Sequence, residues 1–414
     1  MHVVLATVGS AGDVAPIVTL GTVLAGRGHR VTVLTNPHFR EMVEGAGLEL
    51  VPIGTAAAYD RALADPDIWH PVRGLRTIAH GAILPAMRPM YDYLAGLDPA
   101  STVLAATALA FGPRLAQERL GFRLVTLHLQ PAPLLSAYDN PEMAGARLPD
   151  WLPVHTQAWR LELGERRFVD PLLTPGLGAF RAELGLPPVT RVLGRWIHSP
   201  DRAVGLFPDW FAPPRPDWPA NLILTGFPGG GAEAPLDPEL AAFLAAGEAP
   251  VVITLGSAMA HGARVLGQAV AAVRRIDRRA VVLTQFRDQL PARLPSDVHH
   301  VAWAPLGRLL PRAAALIHHG GVGTAAQALA AGVPHLVVPF AHDQPDNANR
   351  LCRLGVAERV SPRVFRAPRA AAALRRLLDP AVAARCAGYA ARVDFRGAAA
   401  RACDVVEATA PGRQ

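Results

Sequence analysis

The run His318-His319-Gly320-Gly321-Val322-Gly323-Thr324 constrains the fold more than any other stretch of this 414-residue chain. It closes an apolar strand with a glycine turn and leads into the helical run Ala325 to Ala331, which Gly332-Val333-Pro334 then stops. The first turn of a helix carries N–H groups with no partner inside the helix, so an imidazole and a hydroxyl placed there make a site for an anion. We read it as a diphosphate cradle. Asp343-Gln344 follows nineteen residues after Thr324, behind the apolar strand Leu336 to Phe340. A carboxylate and an amide therefore reach the same carboxyl edge of the sheet, where open α/β folds bind ligands. Hydroxyl-binding groups beside a phosphate site fit a nucleotide-activated sugar.

The same grammar organises the rest of the chain. Val3 to Ala6 is a short apolar strand bounded by Gly9, Gly12 and Asp13. Ile17 to Ala25 has helical spacing and stops at Gly26 and Gly28, and Arg30 to Thr35 is the next strand. Such a βαβ start implies a parallel sheet with right-handed crossovers. The pattern returns after residue 250 as strand Val251 to Leu255, turn Gly256-Ser257, a helix from Arg264 to Arg275 and strand Ala280 to Leu283. The expected fold class is α/β, with two doubly wound, Rossmann-like domains. The proline-rich stretch Phe207 to Pro219 forbids a regular element, so we place a first domain at 1–212, a linker at 213–219 and a second domain from 220. Gly229-Gly230-Gly231 is expected to be a mobile loop.

Composition excludes several chemistries. All 41 basic residues are arginine, so no lysine nucleophile, Schiff-base lysine or Walker A lysine exists. Cys352, Cys386 and Cys403 are too far apart in sequence for a CxxC site. The arginine cluster Arg363, Arg366, Arg369, Arg375 and Arg376 lacks interleaved aromatics, which argues against nucleic acid and is compatible with peripheral contact to anionic lipid. The chain runs straight into a strand, and no apolar run reaches the length of a membrane span, so a cytoplasmic location is expected.

With these motifs placed, the chain resembles glycosyltransferases of the GT-B fold. The branch is the one that includes bacterial natural-product and sterol glycosyltransferases and rhamnolipid rhamnosyltransferases. Matching stretches run from Gly9 to Pro16, Asp65 to His70, Gly185 to Pro188, Gly194 to Pro200, Leu206 to Trp218, His318 to Gly332 and Ala341 to Asn347, nearly the whole chain. The resemblance implies two domains facing across a cleft, the first binding acceptor and the second, 220–393, binding the nucleotide sugar. It also implies that 394–414 packs back on the first. It makes His319, Gly321, Gly323, Thr324 and Ser257 the donor diphosphate contacts, Trp303 the ring that stacks on the base, Asp343 and Gln344 the sugar contacts, and Asp13 the catalytic base. Two positions depart from the family pattern. Leu306 stands where a glutamine often follows Trp-x-Pro, and Gln327 where an acidic residue is expected. Both would hold ribose hydroxyls, so their loss favours a dTDP donor over UDP.

The chemistry expected is inverting transfer of a rhamnose- or glucose-type sugar from a dTDP- or UDP-linked donor to a hydroxyl of a lipophilic small molecule. Adjacent histidines do not chelate readily and no acidic triplet stands nearby, so no metal and no cofactor are expected. Asp13 could equally cap the following helix. His318 and the pair His299-His300 read as strand residues. Leu75, Ile78, Ala82, Ile83, Met87, Met90, Tyr91 and Leu94 make an apolar helical stripe, ordinarily core. With Trp69 and Tyr59 nearby, Met87 and Met90 are also candidates for an acceptor pocket. A monomer or homodimer is expected. Two rival readings stay open at this point, a sugar-nucleotide epimerase of the same fold and a non-catalytic donor-binding helper.

Overall fold

The computed structural model describes residues 1–142, 147–149, 151–229 and 234–412. They form two compact units, Met1–Gly229 together with Asp394–Gln414, and Gly230–Val393. The first holds a seven-stranded sheet of β1 (His2–Ala6), β2 (Arg30–Thr35), β3 (Glu49–Pro52), β4 (Thr102–Thr107), β5 (Arg123–His128), β6 (Arg202–Gly205) and β7 (Leu222–Leu224). The order is β3-β2-β1-β4-β5-β6-β7, and every pairing is parallel. Helices cover both faces of such a sheet, which is why β4 is buried at all six positions and reads as a continuous apolar run. The chain winds outward from β1 to β3 and restarts at β4 beside β1, so the order reverses between those two strands.

This corrects the boundary placed at the proline stretch. β7 follows Pro219 and pairs with β6, so the stretch lies inside the first unit and the division falls at Gly229 and Gly230. Gly230 and Gly231 of the expected mobile loop lie outside the described residues. The C-terminal helix Phe395–Thr409 belongs to the first unit. Ala399, Ala402, Cys403 and Val406 join one core with Val3, Leu5, Ile17 and Leu20. Arg27 pairs with Asp404 and Glu407 at 2.8 and 3.0 Å along the same seam.

The apolar stripe lies in the core, on a helix less regular than its spacing suggests. Its helix runs in three stretches, Gly74–Ile78, a π-turn at Ala79–Ile83 and Leu84–Ala95. Pro85 and Pro89 supply no N–H to the turn before them, which loosens the ladder there. Met87 and Met90 are 4% and 0% exposed, packed with Tyr91, Leu104 and Phe111. They are core residues, the ordinary reading of such a stripe, and their burial counts against the acceptor-pocket candidacy.

The second unit repeats the plan with β8 (Val251–Thr254), β9 (Ala280–Leu283), β10 (Val298–Val301), β11 (Ala315–His318), β12 (His335–Val337) and β13 (Ala357–Arg359). The order is β10-β9-β8-β11-β12-β13, again all parallel. Its reversal lies between β8 and β11. His299 stacks on Phe243 and His300 bonds the Thr284 carbonyl, so that pair is structural. Of the arginine cluster, Arg376 pairs with Glu358, while Arg375 and Arg366 donate to backbone carbonyls within the unit. Among the described residues no helix is long and apolar enough to cross a membrane.

Candidate active site

In a doubly wound sheet the crevice opens where strand order reverses, outside the carboxyl ends of the strands. In the second unit that point is framed by the ends of β8 and β11. Thr254 leads to Gly256 and Ser257, and His318 leads to His319 and Gly320. The imidazole of His319 fills the gap between two glycines. A Cβ on Gly256 would lie 2.8 Å from His319 Cε1, and one on Gly321 would lie 2.5 Å from His319 Nε2. Gly256 also adopts φ +89°, so two independent reasons require glycine there. Burial pushes the His319 pKa down to about 4, so the ring is neutral at pH 7. Its Nδ1 is buried with no partner among the described residues, a state that costs about 1–3 kcal/mol unless a ligand atom relieves it.

The neighbouring helix is longer than its sequence suggests, starting at Val322 with Gly321 as an N-cap that makes no side-chain bond. Gly323 and Thr324 therefore lie in the first turn, where N–H groups have no helical acceptor and the helix end carries about half a positive charge. A Cβ on Gly323 would meet nothing within 4 Å, so this turn is open. Ser257 is exposed, and its carbonyl takes a 2.7 Å bond from Gln285 Nε2. Trp303, after β10, is 70% exposed and so is no core aromatic. It stands at the same carboxyl edge, at the end of the outermost strand.

After β12 the chain turns through His342, whose φ is +60°, into the helix Gln344–Arg353. Asp343 is the residue before that helix but does not cap it. Its Oδ2 accepts from Asn347 Nδ2 at 2.6 Å. The Gln344 amide oxygen accepts from the Phe340 and Ala341 N–H groups at 2.8 and 3.3 Å, so only its nitrogen is left to meet a ligand. The structure thus gathers Ser257, His319, Gly321, Gly323, Thr324, Trp303, Asp343 and Gln344 along one carboxyl edge. Asn347 and Gly256 stand behind these residues, Asn347 by donating to Asp343 and Gly256 by leaving room for the His319 ring. Asn347 was signalled by its place one helical turn after Asp343.

The first unit has its own reversal, between β1 and β4, and Asp13 lies there. The first helix, Ala11–Gly26, begins six residues before the apolar periodicity does, because Ser10 caps it. Asp13 is its third residue and not its cap. Asp13 Oδ2 accepts from the Ser10 N–H at 2.7 Å and from Ser10 Oγ at 3.0 Å, a capping box. Both bonds go to one oxygen. Gly9, at φ +143°, lies under the carboxylate, where a Cβ would come within 2.3 Å of Oδ2. Burial raises the Asp13 pKa more than the Ser10 bonds lower it. Tyr59 is held by rings of His38 at 4.4 Å and Phe39 at 5.2 Å, and burial together with the Asp13 charge raises its phenol above the usual range. Trp69 is half-buried in the short turn Pro66–Trp69. No group of three or more histidine, cysteine, aspartate or glutamate side chains that could hold a metal ion occurs among the described residues.

Paired Rossmann-like units with an imidazole in a glycine turn in one and a carboxylate on a glycine turn in the other define a class, and comparison with known proteins gives the same one. Residues 3–134 match the glycosyltransferase family 28 N-terminal domain, and residues 265–395 the C-terminal domain of erythromycin biosynthesis protein CIII-like proteins. The chain belongs to the GT-B glycosyltransferases. It is 33% identical to O-mycaminosyltylonolide 6-deoxyallosyltransferase of Streptomyces fradiae, across 100% of this chain and 98% of that protein. Among solved structures, the glycotransferase of kitacinnamycin superposes with a TM-score of 0.76 at 23% identity, over 99% of each chain. Glycosyltransferase VinC in complex with dTDP does so at 0.68 and 23%, over 98% of this chain and 100% of that one. At those identities the two structures speak to the fold.

Proposed function

We propose that this chain is an inverting glycosyltransferase that moves a hexose from a dTDP- or UDP-linked donor to a hydroxyl of a lipophilic natural-product acceptor. The observation that carries this reading is His319. A neutral imidazole with an unpartnered buried nitrogen stands between Gly256 and Gly321, beside an uncapped helix N-terminus at the sheet reversal. In this reading the leaving diphosphate is held by helix N–H groups, the Thr324 and Ser257 hydroxyls and the His319 N–H. That is fixed-dipole stabilisation of developing charge, with no metal required. Trp303 offers its exposed face to the base. Asp343 and the Gln344 amide nitrogen take sugar hydroxyls. Asp13, whose second oxygen keeps free of Ser10, draws the proton from the acceptor alcohol as it attacks the anomeric carbon from the face opposite the diphosphate. The glycosyl transfer named for the Streptomyces fradiae relative and the dTDP named for VinC support the acceptor class and the donor. The test is turnover of dTDP- and UDP-glucose and -rhamnose with a panel of macrolide, glycopeptide and sterol alcohols in the presence of EDTA. Product with inverted anomeric configuration is expected; retention, or no product with any pair, contradicts the reading.

A further inference from the structure

Gly320 lies between the two loops of the donor site and is constrained on every side. It adopts φ +100°, and a Cβ there would meet the Gln344 carbonyl oxygen and Val337 Cγ1, each at 3.0 Å. Both polar ends of this residue are taken by side chains. Its N–H donates to His318 Nδ1 at 3.2 Å, which makes Nδ1 the unprotonated nitrogen, and His318 Nε2–H then donates to His335 Nδ1 at 3.1 Å. Its carbonyl accepts from Asn347 Nδ2 at 3.0 Å, and the same amide nitrogen donates its other hydrogen to Asp343 Oδ2 at 2.6 Å. Both neighbours of that nitrogen are acceptors, so the Asn347 amide has one orientation only. His318, His335 and Asn347 are all 0% exposed and none can touch a donor.

Resting on the donor reading above, we propose that His318 and Asn347 are positioning residues that clamp the Gly320 residue, holding the diphosphate turn after β11 in register with Asp343 after β12. The two loops leave neighbouring strands, which are themselves joined by the β11–β12 pairing and by the Val338 N–H bond to the His318 carbonyl at 2.8 Å; the clamp adds a side-chain link beyond the ends of the strands. The clamp makes them one body, so a diphosphate that orders the turn also sets the carboxylate that meets the sugar. Binding of the two halves of the donor is then coupled.

The test compares wild type with His318→Leu, His318→Asn and Asn347→Leu. Two readouts are taken, hydrogen exchange of peptides spanning residues 318–324, and the Kd for dTDP, UDP and their glucose conjugates. The asparagine side chain can replace Nδ1 as acceptor, whereas leucine fills the space without one. In His318→Leu, faster exchange of the turn and nucleotide binding weaker by about tenfold are expected, the size of one lost hydrogen bond. His318→Asn is expected to keep both near wild type. In Asn347→Leu the affinity ratio of nucleotide sugar to bare nucleotide should collapse toward one. A loosened turn with unchanged binding would overturn the clamp while leaving the donor site standing. So would equal damage from leucine and asparagine, which would make His318 a packing residue. If wild type binds neither nucleotide, the donor reading fails and takes this proposal with it.

Discussion

Asp13 has a structural role in the capping box and, in the proposed function, a catalytic one. Its Oδ2 completes the capping box with Ser10, so the cap fixes the rotamer of the carboxylate. Burial raises its pKa above the ordinary aspartate value, which in the proposed role would make it a better base and raise the pH at which it becomes protonated. The acid limb of kcat/KM should therefore lie above the 3.8 of a free aspartate. Asp13→Asn should lower kcat by about 10²- to 10⁴-fold and leave nucleotide binding intact, since the nucleotide groups belong to the other unit. Unchanged turnover would place the base elsewhere. From the sequence Asp13 was expected as catalytic base or as the helix cap; Ser10 is the cap, and Asp13 closes the box from the third helical position. His318 was legible as a buried strand residue. What chain order could not show is that its ring turns back to accept the Gly320 N–H, because that depends on a side-chain rotamer and on a glycine with positive φ.

At the scale of elements, the strands next to each sheet reversal were the clearest, since parallel strands covered on both faces leave uninterrupted apolar runs. Helix starts were less clear. The first helix and the helix Val322–Ala331 both begin before their apolar spacing, because caps and glycine turns, not periodicity, decide where a helix opens. β7 was missed: three residues after a proline-rich stretch carry too little pattern, and only the pairing with β6 defines them. The stripe containing Met87 and Met90 was ambiguous because core and pocket have the same composition. Its burial makes a definite prediction. Met90→Ala should destabilise the first unit by about 2–5 kcal/mol in urea denaturation without altering which acceptors are used. A changed acceptor profile at unchanged stability would restore the pocket role.

For the molecule as a whole, the buried imidazoles contribute an acid-sensitive share of the stability. His128, His198, His318, His319 and His335 all have pKa values lowered by burial, His198 and His319 to about 4 and His335 to about 3. Released on unfolding, each takes up a proton near its usual 6.5. Between that pH and about 4 the unfolded chain binds more protons than the folded one, so stability falls as pH falls through this window. The urea midpoint should decline steadily from pH 6.5 toward 4; a flat midpoint would mean that these rings are solvated or already paired with charge.

The central claim is that the His319 turn is a donor diphosphate site that works without metal. Calorimetric titration of dTDP and UDP into wild type and His319→Ala, with EDTA present, tests it most directly. Micromolar binding of at least one nucleotide, lost in the variant while its circular dichroism is unchanged, is the predicted result. Binding of equal strength in the two proteins, or binding to wild type only after a divalent cation is added, would contradict it.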